Sequence, residues 1–251
     1  MTSRGALFAA LLMLAAASPC AAALRCVEHR ARDMHVLDCR ASGITLIETR
    51  RPLKLIYHPV APPTPRQLVA AGWAVVVNGS YHDGDYANAR LDGQFTIHGK
   101  RWGEARPGDK QLSHVLTLDA QGRIDAIVAA DELALARAAG AAASMQTGPL
   151  ITLDGAWVAE YATASLNGNQ AYKRSAIGRT ADGTGVIVIA RRPLTLEALA
   201  REVLALRRFA QRGLTLVNLD GGLSTALAVR RTPALNYQPD KFTPVAIGVR
   251  Q

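Results

Sequence analysis

The segment Asn218-Leu219-Asp220-Gly221-Gly222-Leu223-Ser224 is the sharpest arrangement of chemistry-bearing residues in the chain. The apolar residues before it read as a buried strand over 214–219, which delivers the carboxylate of Asp220 at the strand's carboxyl end, where ligand sites gather in α/β sheets. Gly221 and Gly222 let backbone amides approach a ligand without a side-chain collision. Ser224 and Thr225 can cap the turn that follows and add donors for an anion. A carboxylate so placed can act as base or nucleophile. Taken alone, the segment also describes a plain turn whose aspartate bonds its own backbone.

A second tip, Asn78-Gly79-Ser80-Tyr81-His82-Asp83-Gly84-Asp85, follows an apolar strand over 73–77. The Asn78 amide can hold a sugar hydroxyl or a phosphate oxygen, and Gly79 and Ser80 can contribute backbone and hydroxyl contacts. His82, Asp83 and Asp85 are metal-competent residue types, but they match no fixed ligand spacing and equally describe a solvated polar loop. Gln146-Thr147-Gly148-Pro149 reads as a polar turn leading into a strand. Arg174-Ser175 opens another strand, and an arginine there offers the planar fork that grips phosphate oxygens in pairs.

The elements that must carry these residues are legible from caps, turns and periodicity. Thr64 caps a helix with Pro65 at its first position and Gly72 as its stop. A longer helix starts near Thr195 and aligns Leu196, Leu199, Val203, Leu206 and Ala210 on one face, ending in arginines and Gly213. A third helix is predicted over 131–138. Asp154-Gly155, Asp182-Gly183 and the turn at 119–122 each separate two apolar runs, as tight hairpins do. The expected fold is therefore a single α+β domain: a mixed, largely antiparallel sheet with two or three helices packed on it. Strands 185–190 and 214–219, joined through the long helix, would form a right-handed crossover if parallel.

Residues 1–23 have the three parts of a secretory signal: Arg4, an apolar run over 6–17, and a small-residue site ending Ala21-Ala22-Ala23. That run is shorter than the roughly 20 residues a bilayer span requires. Cleavage after Ala23 would leave 228 of the 251 residues as one domain over 24–251, carrying +8 of the formal +9. The expected location is periplasmic or secreted, with no membrane span. Two cysteines remain, Cys26 and Cys39, and in an oxidising compartment they read as a disulfide that closes a short loop, stabilising by roughly 3 kcal/mol. Scattered basic residues with no aromatic-interleaved block give no sign of a nucleic-acid partner. Nothing in the sequence sets an oligomeric state.

Four landmarks taken in order, VVVNGSY, QTGPLI, RSAIGRTADG and LTLVNLDGG, resemble the phosphodiester glycosidase family of exported proteins related to the mannose-6-phosphate uncovering enzyme. The resemblance runs from about Gln67 to Val249. It departs from the family at Ser80 and Tyr81, where the family usually has glycine and phenylalanine, and at Leu223, where a small residue is common. It implies hydrolysis of a sugar-1-phosphodiester at the anomeric carbon, releasing a free sugar and a phosphomonoester. A phosphate leaving group is already a weak base, its second pKa near ~6, so one carboxylate can suffice where ordinary glycosidases use two. On that reading Asp220 acts at the sugar, Arg174 neutralises the phosphate, and Asn78 orients the substrate. Gly79, Ser80, Gln146, Thr147, Gly148, Ser175, Gly221, Gly222 and Ser224 complete the binding set. No cofactor or resident metal is expected, and a divalent cation is left open. Two further readings stay open: a non-catalytic glycan-binding domain that kept the pocket, and a metal-dependent phosphoesterase using His82, Asp83, Asp85 and Asp220.

Overall fold

The computed structural model describes residues 25–83, 89–165 and 168–251. The segment read as a secretory signal and Asp85 lie outside them. The fold is α+β, as expected, and its strand pairs are antiparallel. Instead of one sheet there are three principal ones. The largest has eight strands in the order Val27–Ala31, Met34–Cys39, Ile44–Thr49, Gly185–Leu194, Tyr172–Arg179, Thr215–Asn218, Leu150–Leu153 and Ala156–Trp157. A four-stranded sheet runs Leu227–Val229, Trp73–Asn78, Val245–Arg250 and Leu53–Tyr57. A five-stranded sheet runs Ile124–Ala129, His114–Leu118, Ala143–Thr147, Phe95–Ile97 and Lys100–Trp102.

The period-two pattern of Gly185–Leu194 shows why the layers form. Val186, Val188 and Ala190 face a cluster with Leu196, Leu199, Val203 and Phe209 from the helical layer. Ile187 and Ile189 face the opposite cluster, shared with Val75 and Ile247 of the four-stranded sheet and Phe95, Leu116 and Met145 of the five-stranded one. Both faces of this strand are buried, each large aliphatic contributing about 1.5–3 kcal/mol. The central sheet is therefore packed on both faces where it meets the other two.

The three helices foreseen are present, and their caps explain their starts. Thr64 forms a reciprocal capping box with Gln67 at the head of Pro65–Ala70. Asp131 and Thr195 accept from Ala134 and Ala198 at the heads of Glu132–Ala139 and Leu196–Ala205. The long helix breaks at Leu206, where ψ is 87°, and resumes over Arg207–Gln211. Unbroken, it would point Phe209 about 240° around the axis from Val203. The break turns Phe209 into the core, fully buried. A further short helix, Ala159–Ala164, begins without a side-chain cap. Gly185–Leu194 and Thr215–Asn218 both run antiparallel to the strand between them, so they are parallel to each other across the helical connection. Cys26 and Cys39 form a disulfide.

Candidate active site

After Thr215–Asn218 the chain leaves the eight-stranded sheet, turns at Asp220, and joins the four-stranded sheet as Leu227–Val229 beside Val75–Val77 of its neighbour. Asp220 therefore sits on the seam between two sheets, and the Trp73–Asn78 strand ends at the same seam. The Asp220 amide donates to the Gly79 carbonyl at 3.1 Å. The Asn78 side-chain amide donates to the Asp220 carbonyl at 2.7 Å, while its oxygen accepts from the Ser175 hydroxyl at 2.6 Å and from the Ala226 amide at 3.1 Å. Asn78 is 2 % exposed, so this clamp is dry and worth more than it would be in water. The two glycines are explained by packing more than by ligand approach. A Cβ on Gly79 would lie 2.6 Å from Val245 Cγ1, and one on Gly221 would lie 2.7 Å from the Lys173 carbonyl oxygen.

The Asp220 carboxyl itself opens into a narrow cleft lined by Asn78, Ser80, His82, Asp220, Ser224, Phe242, Thr243 and Val245, with a volume of ≈ 10 Å³. Burial pushes its pKa up to about 6, against the Ser224 hydroxyl, the Gly221 amide and the charge of Lys241, which favour the ionised form. Asp92 adds to the rise, though Arg106 holds Asp92 at 2.7 Å. Larger hollows of ≈ 560 Å³ and ≈ 630 Å³ lie elsewhere and exclude Asp220. The first is rich in arginine, but Arg123 pairs with Asp119 and Arg50 with Asp182, so part of its charge is already matched. Size does not single out Asp220; its place in a cleft with a displaced titration does.

His82 also reaches this cleft. Its Nε2 lies 4.0 Å from Asp220 Oδ2, and its side chain is 13 % exposed. It is held in a short strand against Leu91 and Arg90. Burial first, and the charge of Lys241 second, hold its pKa below the usual imidazole value, with Asp83 opposing. In the sequence His82 counts among metal-competent or solvated loop residues; its closeness to Asp220 is a long-range fact that no local pattern carries. Lys241 acts electrostatically on both groups, and nothing near it in sequence marks it.

Of the remaining sequence-predicted residues, Gln146, Thr147, Gly148 and Arg174 do not line the cleft and instead bond the segments around it. Thr147 donates to the Asn218 carbonyl at 2.8 Å, and the Gly148 carbonyl accepts from the Tyr81 hydroxyl at 2.8 Å. The Gln146 side chain clips together Gln94, Arg106 and Leu112, and its carbonyl accepts from Ser80 at 2.6 Å. Tyr81, its phenol pushed up by burial and by the charge of Asp220, also accepts from Asn218 at 2.7 Å. Arg174 is 3 % exposed, donates to the carbonyls of Leu194 at 2.9 Å and Gln170 at 2.5 Å, and stacks on Tyr172. Its chain passes below Gly221, and its charge reaches Tyr81. Gly222 takes a left-handed φ of 59° that lets the chain turn toward Ser224. Among the described residues, no three His, Cys, Asp or Glu side chains converge as metal ligands.

A phosphodiester glycosidase family model matches residues 71–250. No curated protein matches the sequence. The fold is similar to the catalytic domain of zebrafish N-acetylglucosamine-1-phosphodiester alpha-N-acetylglucosaminidase, solved auto-inhibited by its pro-peptide. The TM-score is 0.61 at 13 % identity, covering 90 % of this chain and 82 % of that one. It is also similar to a hypothetical protein from Synechocystis, with TM-score 0.51, 14 % identity and coverage of 90 % and 61 %. A protein from Burkholderia pseudomallei matches with TM-score 0.51, 11 % identity and coverage of 87 % and 74 %. The structural likenesses speak to the fold, and the family model reaches across every landmark from Asn78 to Gly222: the chain belongs to the phosphodiester glycosidase family.

Proposed function

We propose that this protein is an exported hydrolase that cleaves the sugar–phosphate bond of a sugar-1-phosphodiester, with Asp220 acting at the anomeric carbon. The observation that carries the reading is Asp220 itself. A carboxyl at a sheet seam, in a cleft, with its pKa raised to about 6, is poised to act near neutral pH. Asn78 holds its backbone in place, and Ser224 and the Gly221 amide steady its oxygens. The phosphate leaves without a proton donor because its conjugate base is weak. Its charge is met by the fields of Lys241 and Arg174, while Ser80 lines the cleft and Gly79 and Ser175 hold Asp220 and Asn78 in place. Gln146, Thr147 and Gly148 act as the support that keeps these residues fixed.

Export is supported by the leader-like composition of residues 1–23 and by the Cys26–Cys39 disulfide, since such bonds persist in oxidising compartments. Among the described residues, no helix is long and apolar enough to cross a membrane. The substrate is then a small molecule or glycan bearing a phosphodiester outside the cytoplasm. The test is a panel of sugar-1-phosphodiesters assayed with the wild type and Asp220→Asn. Turnover that the variant loses supports the proposal. Glycan binding with no turnover would favour a binding domain, and turnover abolished by a chelator and restored by a divalent ion would favour a metal-dependent phosphoesterase.

A further inference from the structure

We infer that His82 is the proton acceptor for the hydrolytic water, in a two-step reaction in which Asp220 is the nucleophile. The inference rests on the proposed activity and assigns the group that completes it. Of the eight residues lining the cleft, only Asp220 and His82 carry titratable side chains. A carboxylate that has bonded to the sugar can no longer take a proton from water, so a second base must stand within reach of the same carbon.

The spacing fits that division of labour. At 4.0 Å, His82 Nε2 and Asp220 Oδ2 are too far apart for a direct hydrogen bond. With the sugar bonded to the farther carboxylate oxygen, a water held by Nε2 at about 2.8 Å can lie across C1 from that oxygen, as in-line displacement requires. The charged groups around His82 are Asp83, Lys241 and Asp220, and those around Asp220 are Lys241 and the Arg106-paired Asp92. Burial and Lys241 keep the ring neutral at pH values where Asp220 is ionised, which is the protonation state each role needs. A neutral imidazole is of little use as a proton donor, and a phosphate leaving group does not call for one. It is well suited to accept a proton through Nε2 when the ring proton resides on Nδ1.

In the first step the Asp220 Oδ–C1 bond forms and the C1–O bond to phosphate breaks, the electron pair leaving with the phosphomonoester. In the second, the water oxygen bonds to C1, the C1–Oδ bond breaks, and the water's proton passes to His82 Nε2 and then to solvent. The sum is diester plus water giving free sugar and phosphomonoester, with the anomeric configuration retained because C1 is inverted twice.

The test is quench-flow on a sugar-1-phosphodiester that the wild type turns over, comparing wild type, His82→Ala and His82→Gln, with sodium azide as an external nucleophile. Folding of each variant is checked by circular dichroism. The expected result is one equivalent of phosphomonoester released rapidly by both variants, then steady turnover lowered about 10²–10³-fold. Azide should restore turnover and yield a glycosyl azide, because an anionic nucleophile needs no base. Wild-type-like turnover in folded variants, absence of the burst, or no azide rescue would each overturn the role of His82 while leaving the activity standing. A wild type that cleaves no diester would overturn the activity, and His82's part with it.

Discussion

Two Asp-Gly turns of this protein, Asp182-Gly183 and Asp220-Gly221, end neighbouring strands and have opposite electrostatics. Asp182 closes the hairpin between Tyr172–Arg179 and Gly185–Leu194. It accepts from the Thr180 hydroxyl at 2.6 Å, from the Thr184 amide at 3.1 Å and from Arg212 at 3.0 Å, and these donors hold its carboxyl well below the usual carboxylate range. Asp220 has fewer donors and more burial, and its carboxyl moves up instead. Satisfying a carboxylate favours its charged form; withholding partners while removing water favours its protonated form. The dipeptide is the same, and the neighbours decide.

The largest effect expected from breaking this contrast is on turnover. Asp220→Asn should lower kcat at least about 10³-fold, measured on whichever diester the wild type cleaves, because the reacting oxygen is lost while the clamp from Asn78 survives. Asn78→Ala removes that clamp and orphans the Ser175 hydroxyl and the Ala226 amide. It should cost roughly 10²-fold in kcat/KM and about 2 kcal/mol of stability, read from steady-state kinetics and urea unfolding.

A smaller effect concerns pH. For a carboxylate that must be ionised to act, kcat/KM should rise as pH rises through about 6 and level above it. The stability linkage has the opposite sense. A carboxyl with a raised folded pKa binds its proton more tightly when folded, so its ionisation costs stability from about pH 4 to 6 and the cost persists above. Asp220→Asn should therefore leave stability near wild type at pH 4 and raise it at pH 8 by up to about 2 kcal/mol, a thermal-melt comparison at the two pH values. The smallest effect is at the other turn. Asp182→Asn should destabilise by about 1 kcal/mol at pH 7, a value kept low because that carboxylate is 44 % exposed and its ion pair is screened. Its contribution is present above the unfolded carboxyl pKa and is lost as pH falls below it. Turnover should stay within about twofold of wild type.

What the sequence showed of this fold was what is local. The hairpin at Asp154-Gly155, the cap at Thr64 and the helix starts near Asp131 and Thr195 are short-range chemistry, and each recurs in the structure. The division into three sheets depends on pairings such as Ile44–Thr49 with Gly185–Leu194, far apart in sequence, which no periodicity encodes. The break at Leu206 answers to Phe209 finding the core, again a tertiary demand. At the site, Asp220 and Asn78 stand out because strand, polar tip and glycine coincide at both. Gln146 and Thr147 carry the same polar signature but serve as internal hydrogen-bond clips. His82 and Lys241 meet Asp220 only through folding, so their residue types alone could not select them.

The account turns on which bond breaks, and hydrolysis in water enriched in oxygen-18, with products resolved by mass spectrometry, reads that directly. Cleavage at the anomeric carbon by a site built on Asp220 predicts the heavy oxygen in the free sugar and none in the phosphomonoester. Heavy oxygen in the phosphate, or a sugar that still carries its phosphate, would contradict it.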